Sequence, residues 1–228
     1  MTKGLFITGT DTGVGKTYVA TGLVTALRLR GVNVGVMKPA ETGCSARSGQ
    51  LIPRDALRLI KAAGVRDSLA LVNPYRFRKP LAPFVAAEWE RKKVNMGKII
   101  NAYQTLLTRH DFMIVEGAGG IMVPLSQDAT YLDLVKALGI PVMIVARPGL
   151  GTINHTLLTV SALREKKITV AGIVINYADG RKAGLAEKTS PAVMKIISGV
   201  EIIGIITYRS KKFLMIADYL QDPLFGRQ

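Results

Sequence analysis

Residues 9–17 read Gly-Thr-Asp-Thr-Gly-Val-Gly-Lys-Thr, with glycines ahead of a lysine and a hydroxyl. Glycines let successive backbone N–H groups converge on phosphate oxygens, and a helix opening at Lys16 adds its dipole. In such a P-loop Lys16 reaches the β- and γ-phosphates of a nucleotide, and the Thr17 hydroxyl ligates Mg2+. Five residues separate Gly9 from Gly15, one more than in the common form of the loop. Two further ionic groups follow. Lys38 precedes Pro39, which biases it toward extended geometry. It is either an ordinary exposed lysine or a second cation for a negatively charged group set against the γ-phosphate. Glu116, in Val115-Glu116-Gly117-Ala118-Gly119-Gly120, can ligate Mg2+ or hold a metal-bound water, and the glycines after it permit close approach of a substrate. Asp55, heading an expected helix, is a third metal-side group or a carboxylate that answers the helix dipole.

These groups need a frame. Nearly pure aliphatic runs at residues 4–8, 32–38, 112–116, 141–146, 170–176 and 202–207 predict strands buried on both faces of a parallel sheet. Helical spacing appears over 16–30, 54–63, 96–109, 131–138, 154–167 and 190–198. Strand–helix alternation of this kind predicts right-handed crossovers in a three-layer, P-loop NTPase-like α/β fold with a mostly parallel central sheet. Ligands then sit beyond the carboxyl ends of the strands, where Thr8, Lys38, Glu116, Asn176 and Thr207 fall. Residues 44–53 and 74–83, rich in Pro, Gly and Arg, are expected to be irregular. No linker divides the chain, so residues 1–228 are expected to form one domain.

Composition narrows the class. The chain of 228 residues carries 31 Lys+Arg against 16 Asp+Glu, a net charge of +15. The basic residues form short scattered clusters, none of them the run of five or six that marks a basic tail. Aromatic residues make up 6 %, too few for base-stacking platforms. A solvated basic surface is the expectation, with no nucleic-acid partner. No apolar run approaches a membrane span, and nothing at the N-terminus reads as a signal peptide, so no membrane partner is expected. The one cysteine, Cys44, has no partner for a disulfide, which suits a reducing, cytoplasmic setting. Trp89 and the methionines at helical spacing are read as packing, His110 as structural or exposed, and His155 as packing or capping a helix in preference to acting as a general base.

Taken in order, the nine-residue loop, Lys38-Pro39 with Thr42-Gly43, Asp55, Asn73-Pro74-Tyr75, residues 115–120, Pro124-Leu125, Leu150-Gly151 with Ile153-Asn154-His155, and Asn176 resemble dethiobiotin synthetases. The likeness runs from residue 3 to about 207. It implies a cyclo-ligase of biotin synthesis. That enzyme takes 7,8-diaminononanoate, CO2 and ATP, with Mg2+, to dethiobiotin, ADP and phosphate. One amine captures CO2 as a carbamate, the carbamate attacks the γ-phosphate, and the second amine closes the ureido ring.

By matched position the resemblance implies Lys38, Lys16 and Thr12 as catalytic groups and Thr17, Asp55 and Glu116 around the metal. Nucleotide contacts would come from Gly13, Val14, Gly15, Lys16, Thr17, Tyr18, Gly117, Ala118, Gly119, Asn176, Ile206 and Thr207. Substrate contacts would come from Thr42, Gly119, Leu150, Gly151 and Asn154, the last three reaching the carboxylate tail from a partner subunit of a homodimer. The chain departs from the family in having Gly13 where some members carry Glu, Thr42 where Ser is common, Phe84 where His is frequent, and no proline in the segment 205–208. A dimerising ATPase of the ParA/MinD kind is the alternative, but its loop normally carries an additional lysine that residues 9–12 lack.

Overall fold

The computed structural model describes residues 4–180, 182–210 and 212–225, with the side chains of 221–225 outside the description. Strand β1 (Gly4–Gly9) is buried along its whole length, as a central strand covered on both faces must be. It leads through the glycine loop into α1 (Lys16–Leu29), then β2 (Val34–Met37). A lobe of short elements follows: β3 (Ala40–Glu41), β4 (Ser45–Arg47), β5 (Gln50–Ile52), α2 (Arg54–Ala63), α3 (Leu69–Val72), β6 (Tyr75–Arg76) and α4 (Pro83–Trp89). The alternation then resumes with α5 (Met96–Leu107), β7 (Phe112–Gly120), α6 (Tyr131–Leu138), β8 (Val142–Ala146) and α7 (Thr152–Glu165). It ends with β9 (Val170–Asn176), α8 (Leu185–Ser198), β10 (Ile202–Ile206) and α9 (Leu214–Phe225).

The six long strands form one sheet in the order β10-β9-β8-β1-β7-β2, every pairing parallel. The expected α/β architecture is therefore the observed one. Leu5, Phe6, Ile7, Ile114, Val115, Ile144 and Val145 are fully buried at its centre. Helix α1 packs against both α2 and α9, α5 contacts α3 and α6, and α7 pairs with α8.

Several expectations change. Residues 44–53 are not irregular, because β4 and β5 form a hairpin; within 74–83 only β6 is regular before α4 begins, pairing parallel with β3, and residues 77–82 are irregular as expected. The hairpin turns on Ser48 (φ 48) and Gly49 (φ 77), both left-handed, the geometry a two-residue turn demands. Its strands are three residues each, β4 exposed and β5 half-buried at Leu51 and Ile52, too short for an apolar alternation to announce them. Strand β7 runs past Glu116 to Gly120, pairing Gly120 with Gly9 after a register shift. Helix α8 starts at Leu185, well before residue 190, and carries Pro191 inside it. Proline removes the N–H that would reach Glu187 O, and the Tyr177 hydroxyl donates to that carbonyl instead at 3.3 Å. Trp89 is not a packing residue. Its side chain is 69 % exposed, with the Lys79 ammonium 5.8 Å from the ring centroid. Residues beyond 207, silent in sequence, include α9, whose Ile216, Ala217 and Leu220 are buried.

Candidate active site

The loop between β1 and α1 turns on Gly13 (φ 79) and Gly15 (φ 92), conformations that an L side chain rarely adopts. Gly15 is also closely approached: a Cβ there would collide with the Asn176 amide. That amide donates from Nδ2 to Val14 O at 2.9 Å, tying the end of β9 to the loop. Ile206 pairs in register with Asn176 and accepts the Tyr177 N–H at 2.8 Å, so β9 and β10 end level with each other and Thr207 follows, exposed. Lys16 curls over the loop and donates to Asp11 O at 3.0 Å. Burial, and then the charge of Lys38, bring the Lys16 ammonium down to about 8.

Lys38 follows β2 and is buried, which sets aside the reading of it as an exposed lysine. Its ammonium lies 2.5 Å from Glu116 Oε1 and 3.3 Å from Asp55 Oδ2, and donates to Gly117 O at 3.1 Å. Burial alone would lower this ammonium, but Glu116 and Asp55 more than offset it and hold it above its ordinary range. The Thr17 hydroxyl donates to the same Glu116 oxygen at 2.7 Å. Thr17 of α1 and Lys38 just after β2 thus converge on one carboxylate oxygen. Asp55 stands in the first turn of α2, so it answers both the helix dipole and Lys38.

A cavity of 610 Å³ opens over this cluster, lined among others by Thr12, Gly13, Lys16, Thr17, Thr42 and Gly119. Tyr18 and Ala118 also reach it. A second, of 450 Å³, shares Thr12 and Gly13 and adds Val14, Leu150 and Asn176. Gly151, in left-handed geometry, caps α7, and Asn154 is exposed in its first turn. Neither lines these two cavities. The sequence reading missed Glu41, Arg58 and the Pro80-Leu81-Ala82-Pro83 wall. Only the proline pair, inside a stretch read as irregular, gave any signal of a shaped wall.

The donor set suits a hard divalent cation. Glu116 Oε2 is buried without a hydrogen-bond partner, while Oε1 carries the Thr17 and Lys38 contacts. No group of three His, Cys, Asp or Glu that could hold a metal occurs among the described residues. Mg2+ needs no such cage, since it keeps several waters and binds one or two carboxylates together with substrate phosphates.

The fold and the loop define a P-loop α/β protein. A family model described as an AAA domain matches residues 3–212. The cell division ATPase MinD of Pyrococcus furiosus superposes with a TM-score of 0.65 over 98 % of this chain and 100 % of that one, at 17 % identity. A ParA family ATPase from Chlorobium tepidum gives 0.58 over 96 % and 99 %, at 15 % identity. At such identities the likeness is one of fold alone. Curated relatives go further. The ATP-dependent dethiobiotin synthetase BioD of Thermodesulfovibrio yellowstonii is 45 % identical over 91 % of this chain and 90 % of its own length. Its namesake from Methanocaldococcus jannaschii is 45 % identical over 90 % and 94 %. The chain belongs to the ATP-dependent dethiobiotin synthetase family.

Proposed function

We propose that this chain converts 7,8-diaminononanoate, CO2 and ATP to dethiobiotin, ADP and phosphate. The observation that carries this reading is the buried Lys38, fixed between Glu116 and Asp55 beside the P-loop lysine. A carbamate and a γ-phosphate are both anionic, and two cations facing one cavity lower the barrier to their approach. Lys16 and Lys38 stabilise the charge that spreads over the transferring phosphoryl group. Thr12 and Thr42 hold the carbamate and the amine, which makes ring closure a matter of orientation more than of strong base. The carbamate oxygen bonds to the γ-phosphorus as the bond to ADP breaks. The second amine then adds to the carbonyl carbon, and phosphate leaves with that oxygen.

Thr17, Asp55 and Glu116 would hold Mg2+, which when bound with ATP supplies further neutralisation of the phosphates. Gly13, Val14, Gly15, Tyr18, Gly117, Ala118 and Gly119 shape the nucleotide cleft, with Asn176, Ile206 and Thr207 at its base end. Leu150, Gly151 and Asn154 lie at the start of α7, where unpaired N–H groups suit a carboxylate. We assign them to the substrate tail of the partner subunit in a homodimer working as single-domain protomers in the cytoplasm. No helix among the described residues is long and apolar enough to cross a membrane.

ATP turnover tests the assignment against the nucleotide switches that share the fold. Phosphate release should depend on the diamine together with bicarbonate and ignore DNA and lipid vesicles. Stimulation by either of the latter, with none by the diamine, would reverse the assignment.

A further inference from the structure

Helix α2 brings Asp55 to the site, yet it has no cap of its own: the residue before it is Pro53, and no side chain near it in sequence accepts from its first turn. The acceptor comes from another element. Glu41, the last residue of β3, takes the Asp55 N–H on Oε1 at 3.0 Å and the Ala56 N–H on Oε2 at 2.9 Å. Both oxygens are thus committed to α2. The backbone of Glu41 is fixed as well, since its carbonyl accepts the Phe77 N–H at 2.9 Å. The side chain is 6 % exposed, on the wall of the larger cavity, and the next residue is Thr42.

We infer that Glu41 is a positioning residue: by clamping the first turn of α2 to β3, it holds the Asp55 carboxylate against Lys38. The inference rests on the role given above to Asp55, and it goes beyond that role by naming what fixes Asp55 in place. Two observations separate it from ordinary capping. A local Ser or Thr at position 53 would satisfy the helix without burying a charge. Glu41 instead is a buried carboxylate that does so beside the like charge of Asp55. The arrangement also joins Asp55 and Thr42, which face one cavity, to a single rigid corner.

The test is a double-mutant cycle on the full-length protein, with Glu41→Ala, Asp55→Asn and the pair. Outer-shell partners of this kind are worth about 10–100-fold. Glu41→Ala should therefore lower kcat at least about tenfold. It should weaken ATP binding measured with Mg2+ while leaving metal-free ATP binding unchanged. In the Asp55→Asn background it should add almost nothing, because its target is gone. Glu41→Gln, which keeps the shape and one acceptor oxygen, should fall between wild type and Ala, and it serves in the cycle if the Ala variant fails to fold. Losses that multiply in full, or a lowered Tm with unchanged kcat, would overturn the inference. If Asp55→Asn itself leaves kcat and Mg2+-dependent binding unchanged, the role of Asp55 falls and this inference with it. If Asp55→Asn is crippled and the Glu41 variants are not, only this inference falls.

Discussion

A lysine enclosed by two carboxylates at the end of a strand cannot be a solubilising surface charge. The charge-balanced burial of Lys38 means that removing the ammonium leaves Glu116 buried without its cation, a costly state. Lys38→Leu should lower kcat about 10²–10³-fold, the usual worth of one transition-state donor, and leave the Kd for ATP close to wild type. Isothermal calorimetry beside steady-state kinetics would show the split. Lys16 carries a pH signature. Its ammonium titrates near 8 in the free protein, and bound phosphates would raise that value. Below this pH Lys16 is charged in both states, so binding takes up no proton; above it, binding must protonate the amine. ATP affinity should therefore fall as pH rises through about 8, with proton uptake visible in buffers of different ionisation heat. Cys44 is inert by the same physics, since burial pushes its thiol up to about 11. Thiol reagents should label it in denaturant and leave the native protein unmodified at neutral pH.

At the scale of elements, the loop is held by what it touches. Gly15→Ala forces a side chain into left-handed geometry and against the Asn176 amide that steadies Val14. It should weaken ATP binding at least about tenfold, from strain alone of roughly 1–2 kcal/mol. The six sheet strands and the P-loop were legible in sequence because each is a short aliphatic run or a glycine pattern that one physical requirement explains. Helices α2 and α6 were legible to the residue. The hairpin of β4 and β5 was hidden because its strands are only three residues long, and the true start of α8 by Pro191, whose cost is met by Tyr177 from β9's end. Glu41 was invisible for a similar reason: it caps a helix 14 and 15 residues away, and no local pattern records that. Lys38 could be found by type and place, but its burial required Glu116 and Asp55 to be brought to it.

For the whole molecule, the shared tail site makes a strong demand. If the start of α7 serves the neighbouring protomer, Lys38→Leu and Asn154→Ala each disable sites in different ways. Mixed and allowed to exchange subunits, the two inactive proteins should regain part of the activity, because one site of each heterodimer is intact. A mixture no more active than its parts would place the tail site within one protomer. The central claim remains that a CO2-derived anion is brought to the terminal phosphorus of ATP. Supplying the enzyme with ¹⁸O-labelled CO2, the diamine and ATP, and weighing the released phosphate by mass spectrometry, tests it most directly. The account predicts one labelled oxygen passed to phosphate for each dethiobiotin formed. Dethiobiotin appearing with unlabelled phosphate, or no dethiobiotin at all, would contradict it.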